Sequence, residues 1–433
     1  MNNGKSLRRV VITGMGAVTP LGLNVQDTWD GLVKGRSGIR NISIFDASTF
    51  PTRIAGEVKG FDFDRWRKQD SALSEATRST FFALQAAEEA FRDSRLRRFN
   101  MDPERFGIYF GAGDSGIDFD SFVETVSASF DSEGGVDKGR YLEQSCKRMS
   151  GLRELEAQPF MTVTHLARRF DTRGPVSNCL TACAASSQAI GEATEWIRTG
   201  QADIVLSGGS HSMIYPLGVA GFSLLTVLSR HNDEPQTSSR PFDKTRDGFV
   251  LAEGAGVVIL EELEHAKRRK ARIHGEVIGY GTTADAYRLT DMDPEGRGAC
   301  RAIEVAMQKG GLTPADVDYI NAHGTATKVN DSLETLAIKK VLGARAYEIP
   351  VSSIKSMTGH MIAAAGAIEA ITCLLSMRHS MIPPTINYHE PDPDCDLDYV
   401  PNTARQAQVD VALSNSFGFG GQNICLALAK YDE

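Results

Sequence analysis

The sequence has few of the features that would assign it to a class of protein at once. Its seven cysteines are scattered along 433 residues, with neither a CxxC pair nor the spacing of a disulfide framework. This pattern is typical of a reducing compartment, so we expect the protein to be cytoplasmic. Positive charge is also in deficit, and the formal net charge of −8 argues against nucleic acid as a partner.

Long hydrophobic runs are missing as well. The most membrane-like stretch, "MIAAAGAIEAITCLLSM" (361–377), has only 17 residues and carries Glu369 in its middle, so it predicts a core helix. The apolar run near the start is interrupted by Gly14 and Gly16 and soon meets Pro20. It predicts a buried first strand rather than a signal peptide, and we expect no membrane partner.

The signatures of two cofactor classes are absent. In "VVITGMGAVTPLG", Gly14 and Gly16 are followed by Thr19 where a dinucleotide fingerprint has its third glycine, so a nicotinamide enzyme is not expected. The histidines at 323 and 360 are 37 residues apart, without an HxxxH pattern or a carboxylate at ligand spacing. We therefore predict no metal site.

What the chain does contain is a regular alternation of apolar, β-branched runs with helical patterns, which predicts α/β layers around buried sheets. The charged stretch 261–276 separates two parts of similar layout and predicts an N-terminal half of 1–265 and a C-terminal half of 266–433. The polar stretch 127–144 has no periodicity and predicts a surface excursion, either a lid or a plain loop. The predicted strands are 8–18, 105–113, 202–210, 254–263, 272–282, 317–325, 349–356 and 422–429, and the predicted helices are 76–94, 183–200, 297–310, 332–342 and 361–378.

One cysteine lies where a helix could activate it. In "SNCLTACAASSQAIGEA" (177–193), Cys183 begins a predicted helix, with Thr181 as a possible cap. The positive end of a helix dipole lowers the pKa of a thiol and favours the thiolate. A small buried core residue is the alternative, and it is the interpretation we keep for Cys179.

Three further motifs carry groups suited to acyl chemistry, each with a structural alternative. "NAHGTAT" (321–327) places His323 on a glycine-containing turn after a strand, and "SSIKSMTGH" (352–360) holds Lys355 and His360. The loop in "ALSNSFGFGGQN" (412–423) could present N–H groups to an oxyanion, or simply form a tight turn. The basic cluster Arg65, Arg67 and Lys68 could receive an acidic carrier or form a solvated face.

Taken in order, these stretches resemble the β-ketoacyl-[acyl carrier protein] synthases, in particular the elongating type II enzyme of fatty-acid synthesis. The resemblance runs nearly end to end, through "TACAASSQAIGEA", "SRPFDKTRDGFVLAEGAG", "NAHGTAT", "VSSIKSMTGH" and "SNSFGFGGQN". It implies a thiolase-like fold, in which two similar βαβαβαββ halves form five layers in the order α-β-α-β-α. It also implies a dimer, usually a homodimer.

The resemblance assigns roles to individual residues. Cys183 matches the family's nucleophile, His323 and His360 match its two catalytic histidines, and Lys355 matches the lysine before the second histidine. Asp331 and Glu334 match acidic residues that support the site, and Phe419 matches the mobile gate. Thr325 and Thr327 match residues that contact the phosphopantetheine arm. Gly418 and Gly420 match substrate-binding positions in the glycine loop.

The implied reaction is a decarboxylative Claisen condensation of an acyl thioester with malonyl-[acyl carrier protein], which elongates a fatty acid. It needs no metal or redox cofactor, because the substrates arrive on the 4'-phosphopantetheine of the acyl carrier protein. Degradative thiolases have a second cysteine in the C-terminal loop, and the initiating synthases have asparagine where this chain has His360. Neither pattern is found here.

Two departures from the family pattern keep alternatives open. His211 and Ser212 stand where the elongating enzymes more often have an acidic residue and a small one. The beginning of the 69–90 helix and the 114–150 region also diverge, and relatives use the latter for the acyl pocket and the dimer interface. A ketosynthase of a type II polyketide or polyene pathway, possibly heterodimeric, is one alternative. A catalytically silent chain-length subunit is the other, and Cys183 argues against it.

Overall fold

The computed structural model describes residues 7–113 and 116–432 of the chain. The sequence predicts eight of the ten strands of its large sheet; β5 and β13 were not predicted, and β9 and β10 are shorter than predicted. The strands are β1 (Val10–Val18), β2 (Arg40–Asn41), β3 (Ile54–Ala55), β4 (Phe106–Ala112), β5 (Val176–Cys179), β6 (Ile204–His211), β7 (Gly254–Glu262), β8 (Gly275–Ala284), β9 (Tyr319–Asn321), β10 (Val351–Ser352), β11 (Met381–Ile382), β12 (Arg405–Gln406), β13 (Val411–Gly418) and β14 (Gln422–Ala429).

Helices occupy most of the connections between these strands. They are α1 (Val25–Val33), α2 (Phe63–Gln69), α3 (Arg78–Ser94), α4 (Phe119–Ser127), α5 (Lys138–Arg148), α6 (Gly151–Glu156), α7 (Pro159–Phe170), α8 (Ala185–Arg198), α9 (Pro216–Leu224), α10 (Leu263–Arg268), α11 (Arg297–Gly310), α12 (Lys328–Leu342), α13 (Lys355–Thr358) and α14 (Ala365–His379). Two single 3₁₀ turns matter for the site, Ala182–Ala184 before α8 and Ile362–Ala364 before α14.

The large sheet is built from two halves with the same strand order. Its order is β10-β9-β13-β14-β8-β1-β7-β6-β4-β5. Numbered along the chain within each half, both halves read 3-2-4-5-1, and the parallel and antiparallel pairings also correspond. The suspected similarity of the two halves is therefore present in the topology. A short antiparallel pairing of β1 with β8, between Val11 and Glu276 and between Ile12 and Gly275, joins them.

The helices arrange these strands in five layers. Helices α8 and α14 pack against each other and against strands of both halves, so they form the central layer. On the outer faces, α3 covers β1 and β7, and α11 covers β8 and β14. The buried apolar residues of α14 explain its central place, because 13 of its 15 positions are buried. This is the α-β-α-β-α arrangement expected from the sequence.

Paired glycines let the outer helices approach the first strand of each half. A Cβ at Gly16 would lie 1.9 Å from the carbonyl oxygen of Ala86 on α3, and one at Gly281 would lie 1.9 Å from that of Ala302 on α11. Their neighbours Gly14 and Gly279 meet α3 and α11 in the same way. Gly14 and Gly16, which do not complete a dinucleotide fingerprint, thus allow a helix to pack closely on the strand. Gly279 and Gly281 do the same in the second half.

The structure corrects several expectations from the sequence. The stretch 127–144 is an exposed excursion as predicted, but it is not unpatterned, because it contains the end of α4 and half of α5. In the second half, only 319–321 and 351–352 of the predicted strands 317–325 and 349–356 are strands, and residues 411–418 form a strand that was not predicted. The boundary between 265 and 266 stays a prediction; these residues lie in α10, in the connection from β7 to β8.

A search of the described residues finds no helix that is both long enough and apolar enough to cross a membrane. The stretch 361–377 instead forms most of the central helix α14 and the turn before it.

We expect Gly16→Ala and Gly281→Ala each to destabilise the fold, because the added methyl group would overlap a helix carbonyl and force the helix off the sheet. Overpacking of this kind costs about 1–3 kcal/mol. Denaturant unfolding of the purified variants measures the loss. Gly151→Ala is the matched control, because a Cβ there meets no atom within 4 Å. Equal stability of all three variants would contradict the close-approach interpretation.

Candidate active site

The two 3₁₀ turns that begin the central helices occupy equivalent places in the two halves. The first contains Cys183, which is 5% exposed, and the second contains Ala363. Each turn starts with a non-glycine residue at positive φ, Ala182 at 47° and Ile362 at 46°. This left-handed conformation costs roughly 1–2 kcal/mol for a residue with a side chain, and such strain is typical of functional sites. Only the N-terminal half places a reactive group at this turn.

Two histidines from the C-terminal half converge on this cysteine. His323 follows β9, and His360 is held by backbone hydrogen bonds to Val250 and Ala252, at 2.7 and 2.9 Å. Their ring centroids are 5.4 Å apart. The Cys183 sulfur and one ring nitrogen of each histidine all lie within 4.8 Å of one another. The structure thus brings together the three residues that the sequence separates by 140 and 37 positions.

A buried ion pair supports His323 from behind. Lys355 pairs with Glu369 of α14, and its Nζ also donates to the carbonyl oxygen of His323 at 2.7 Å. The same Nζ lies 3.4 Å from Nδ1 of His323. A lysine donor at Nδ1 leaves Nε2 to carry the ring proton. Burial raises the pKa of Glu369, while Lys355 acts in the opposite direction.

Glu369 is the residue of this site that the sequence interpretation missed. Its stretch is the core helix predicted from the sequence, and the isolated carboxylate in the middle of an apolar run was the available signal. A carboxylate is almost never fully buried without a partner. The partner, Lys355, lies 14 positions earlier in the chain and on a separate helix.

Glu334 and Asp331, the supporting acids implied by the resemblance, accept hydrogen bonds from backbone N–H groups and not from the reactive side chains of the site. Glu334 of α12 accepts hydrogen bonds from the N–H groups of His323 and Gly324, both at 2.8 Å. Burial raises its pKa to about 7. Asp331 accepts from the N–H of Phe242 at 2.8 Å, and burial raises its pKa as well, against the effect of nearby Arg246. Neither acid lines the cavity.

The site stabilises uncharged forms of its reactive groups. Burial lowers the pKa of His323 and of His360 well below the ordinary histidine value, and Lys355 adds to this effect. Within the described residues, neither ring nitrogen of His360 has a hydrogen-bond partner. Both imidazoles are therefore neutral at pH 7, and that of His360 faces the cavity with its N–H uncommitted.

The resting thiolate expected from the sequence is a wrong prediction for this structure. Burial raises the pKa of Cys183 to about 11, and the opposing effects of Lys355 and of the N–H groups of Phe419 and Cys183 do not overcome it. Thr181 also makes no capping hydrogen bond, because the residues after it form a 3₁₀ turn and α8 starts only at Ala185. With its pKa raised in this way, Cys183 is a thiol at neutral pH.

A cavity of about 360 Å³ leads to these residues. Thr325 and Thr327 line it with their hydroxyl oxygens 3.0 Å apart, and Gly418 and Phe419 line it from the glycine loop. Gly420 lies behind the loop, where its N–H donates to Leu289 at 2.7 Å. The sequence-predicted substrate-binding residues thus meet at one cavity, apart from Gly420.

The glycine loop closes directly over the cysteine turn. A Cβ at Gly418 would lie 3.3 Å from the backbone nitrogens of Cys183 and Ala184. The backbone N–H groups of Cys183 and Phe419 lie close enough to the Cys183 sulfur to lower the pKa of its thiol. Backbone donors beside a reactive sulfur are suited to stabilising an oxyanion that develops on an atom bonded to that sulfur.

Two other groups singled out from the sequence lie away from this cavity. Arg65, Arg67 and Lys68 are exposed on α2, where Arg67 lies over the ring of Phe81 at 5.3 Å. None of the three lines the cavity. His211 is buried at the end of β6, close enough to lower the pKa of His360, although burial and Lys355 contribute more. Residues 114 and 115, at the start of the divergent 114–150 region, lie outside the described residues.

Comparisons with known proteins agree along the whole chain. The family model for the N-terminal domain of beta-ketoacyl synthases matches residues 7–266, and that for the C-terminal domain matches residues 274–389. A 3-oxoacyl-[acyl-carrier-protein] synthase 2 from Synechocystis is 44% identical over 432 residues, which cover 98% of each chain.

Solved structures are similar over the same extent. One is a ketosynthase of a type II polyketide synthase in complex with its acyl-carrier protein and bound to a hexaketide; it has 36% identity and a TM-score of 0.87, with 99% of this chain and 100% of that chain covered. Another is the ishigamide ketosynthase/chain length factor, with 35% identity, a TM-score of 0.86 and the same coverage. With its thiolase-like layers and its cysteine facing two histidines, the chain belongs to the β-ketoacyl synthase family.

Proposed function

We propose that the protein catalyses the decarboxylative Claisen condensation of an acyl thioester with malonyl-[acyl carrier protein], and so elongates fatty acids by two carbons. The observation that carries this proposal is the convergence of the Cys183 thiol with two neutral imidazoles at the end of one cavity. Relatives named 3-oxoacyl-[acyl-carrier-protein] synthase 2, similar over 98% of the chain, support it.

The first step transfers the acyl group to the enzyme. The sulfur of Cys183 attacks the thioester carbonyl, and its proton leaves with the departing carrier thiol, so that one S–C bond forms and another breaks. The oxyanion that develops on the carbonyl is stabilised by the N–H groups of Cys183 and Phe419. Removing one such donor typically raises a barrier by about 3–4 kcal/mol.

The second step generates the carbon nucleophile. Malonyl-carrier loses carbon dioxide when its C–C bond breaks, and the electron pair becomes an enolate on the thioester oxygen. His323 and His360 donate hydrogen bonds to that oxygen. Neutral imidazoles suit this task, because an uncharged N–H donor stabilises the enolate without transferring its proton first. The lowered pKa values of both rings support this role.

The third step forms the product. The enolate carbon attacks the acyl carbon on Cys183, a C–C bond forms, and the S–C bond to the enzyme breaks. The sulfur takes up a proton from solvent, which restores the thiol, and the β-ketoacyl chain remains on the carrier. Carbon dioxide release drives the sequence, so no metal or redox cofactor is required. The phosphopantetheine arm of the carrier reaches the sulfur along the cavity past Thr325 and Thr327.

The remaining residues of the site position these groups. Lys355, with Glu369, fixes the carbonyl and the tautomer of His323, and Glu334 fixes the backbone on either side of it. Asp331 anchors the segment that contains Phe242. Phe419 gates the cavity, and Gly420 with Gly421, at φ values of 80° and 73°, lets its loop turn sharply.

The partner that delivers the substrates is acyl carrier protein, in the cytoplasm. Arg65, Arg67 and Lys68 offer an exposed basic surface to an acidic carrier. Because these three residues do not line the cavity of their own chain, they would bind the surface of the carrier protein and would not contact the phosphopantetheine arm inside the cavity.

The protein also acts as a homodimer in this proposal. Strand β5 is the last strand of the sheet on its side, and among the described strands it pairs with β4 alone. Its first residue, Val176, and the residue that follows it, Leu180, are 46% and 57% exposed. An open, apolar sheet edge is normally covered. A second copy related by a twofold axis would cover it with its own β5.

A second candidate function is favoured by the structural neighbours. Two of them are ketosynthases described with a type II polyketide carrier or with a chain length factor. The same residues would then condense malonyl units onto a polyketide or polyene chain, in a heterodimer. A silent chain-length subunit is disfavoured, since Cys183 and both histidines are in place.

Replacing the nucleophile and one histidine separates the steps. Cys183→Ala abolishes the acyl-enzyme, because no sulfur remains to form the thioester. His323→Ala retains acylation but slows decarboxylation by about 100-fold or more, through the loss of an enolate donor. Mass spectrometry of the protein after incubation with acyl-carrier, and carbon dioxide release from malonyl-carrier, measure the two steps. Full acylation of Cys183→Ala would disprove the nucleophile, and undiminished carbon dioxide release by His323→Ala would disprove the enolate site.

The raised pKa of Cys183 predicts how its alkylation depends on pH. Only the thiolate reacts with iodoacetamide, and below a pKa of about 11 the thiolate fraction rises about tenfold for each pH unit. We expect the rate at Cys183 to be about 100-fold higher at pH 9 than at pH 7, without a plateau. Peptide mapping in a Cys146→Ser background, which removes the exposed cysteine, measures the rate. A plateau near pH 7 would instead indicate a thiolate at rest.

Reversing the charge of the basic cluster tests the carrier surface. The triple variant Arg65→Glu, Arg67→Glu, Lys68→Glu should raise KM for acyl-carrier several-fold at low salt and leave kcat unchanged, since the cluster lies outside the cavity. The difference should shrink at high salt, where screening weakens both proteins' attraction. Arg297→Glu, at an exposed site on α11, is the control. Unchanged affinity at low salt would disprove the docking role.

A further inference from the structure

The N-terminal half carries an arginine-rich groove that the proposed reaction does not use. Its side chains come from the end of α3, the segment after it and the end of α7, and the groove encloses about 440 Å³. We call it the arginine groove; the residues that define it are Arg92, Arg95, Arg97, Arg169, Phe91 and Phe170.

The arginine groove is positively charged, although the protein as a whole is acidic. The chain has a formal net charge of −8, yet this groove holds four arginines and a single acid, Glu88, which pairs with Arg169. Among the described residues, Arg92, Arg95 and Arg97 form no ion pair, and all three are exposed. Nearby Asp93 is already paired with His274. Arg92 also lies close enough to the carboxyl of Glu89 to lower its pKa, although burial of Glu89 has the larger, opposite effect. With four arginines and one lining acid, the groove still presents a net positive charge to solvent.

Stabilisation of a helix end explains the presence of only two of the four arginines in the groove. Arg92 and Arg169 lie in the last turns of α3 and α7, where a cation offsets the negative end of the helix dipole. Arg95 and Arg97 lie beyond α3. Arg95 also has a φ of 56°, in the left-handed region that favours glycine at the end of a helix. Placing an arginine there strains the backbone and aims a guanidinium at the groove.

An apolar floor completes the groove. The rings of Phe91 and Phe170 are half-buried, with centroids 5.1 Å apart. Phe99, just along the chain from Arg97, is 86% exposed. Guanidinium groups bind phosphate oxygens in pairs, more specifically than lysine does, and aromatic rings accept an apolar or aromatic body beside them.

The groove is remote from the proposed active site. Phe91 packs on Phe106, which begins β4, with ring centroids 6.4 Å apart. The catalytic cavity lies beyond the other end of the parallel strands, and a seven-residue strand spans roughly 23 Å. A carrier protein bound at the arginine groove could therefore not place its phosphopantetheine arm at Cys183.

From these observations we infer a second binding site: the arginine groove binds a phosphate ester whose apolar or aromatic body packs on Phe91 and Phe170. The two sources of this chemistry are a soluble nucleotide and the headgroup of an anionic phospholipid. In both cases Arg95 and Arg97 hold the phosphate. The inference is independent of the condensation reaction, because none of these residues lines the catalytic cavity.

Titration of the full chain with ADP, and co-sedimentation with vesicles of phosphatidylglycerol and phosphatidylcholine, test the site. We expect at least one probe to bind, with an affinity that falls as salt is added. Binding of ADP alone identifies a nucleotide site, and binding of the anionic vesicles alone identifies a lipid site. Phe99→Ala should weaken only the vesicle interaction. If neither probe binds at low salt, the proposal is wrong.

Arg95→Gly separates binding from folding. Glycine relieves the strained backbone and removes the guanidinium, so the melting temperature should not fall, while affinity for the bound probe should drop about tenfold. Arg97→Gln should lower affinity similarly, and the control Arg301→Gln, on exposed α11, should not change it. Condensing activity should be unaffected in all three. Equal affinity of Arg95→Gly, Arg301→Gln and the unmodified protein would overturn the inference.

Discussion

The arrangement of the active site depends on the buried ion pair between Lys355 and Glu369. Both side chains are almost completely buried, so each charge needs the other, and removing one partner of such a pair typically costs about 3–5 kcal/mol. The pair does more than neutralise charge. It links the central helix α14 to α13 and, through the carbonyl of His323, to the turn after β9. One ion pair therefore connects the core of the protein to the orientation of a reacting imidazole.

Burial also decides the protonation of the reacting groups. Burial beneath the central helices and the glycine loop raises the pKa of the Cys183 thiol and lowers the pKa of both imidazoles, so it favours the neutral form of each group. Neutral donors suit an enolate and an oxyanion that appear only during the reaction, because the site then stabilises the transition state more than the resting enzyme. A permanently charged group would stabilise negative charge in the resting enzyme as well as in the transition state.

The active site combines residues from two halves with the same strand topology. Both halves have the same strand order, the same glycine approach of an outer helix and the same strained turn before a central helix. The halves differ in what they add to that frame. The first places Cys183 at its turn and the second has Ala363 there, while the second supplies both histidines and the lysine. The active site is thus shared between two similar units, neither of which contains all of it.

Much of this was determined by the sequence alone. Apolar periodicity predicted eight of the ten strands of the large sheet and five of the longer helices. The ordered motifs around Cys183, His323, Lys355 and His360 identified the family, because residue types and spacing are local properties. Other features were decided only by the tertiary structure. The strand at 411–418 was not predicted because it contains Ser414, Asn415 and Ser416, whose burial comes from neighbouring strands. The protonation of Cys183 follows from the layers packed over it, which outweigh the helix end that its sequence suggests. Glu369 became a site residue only when α14 brought it to Lys355, since ion pairing and desolvation depend on distances in space that the order of residues does not specify.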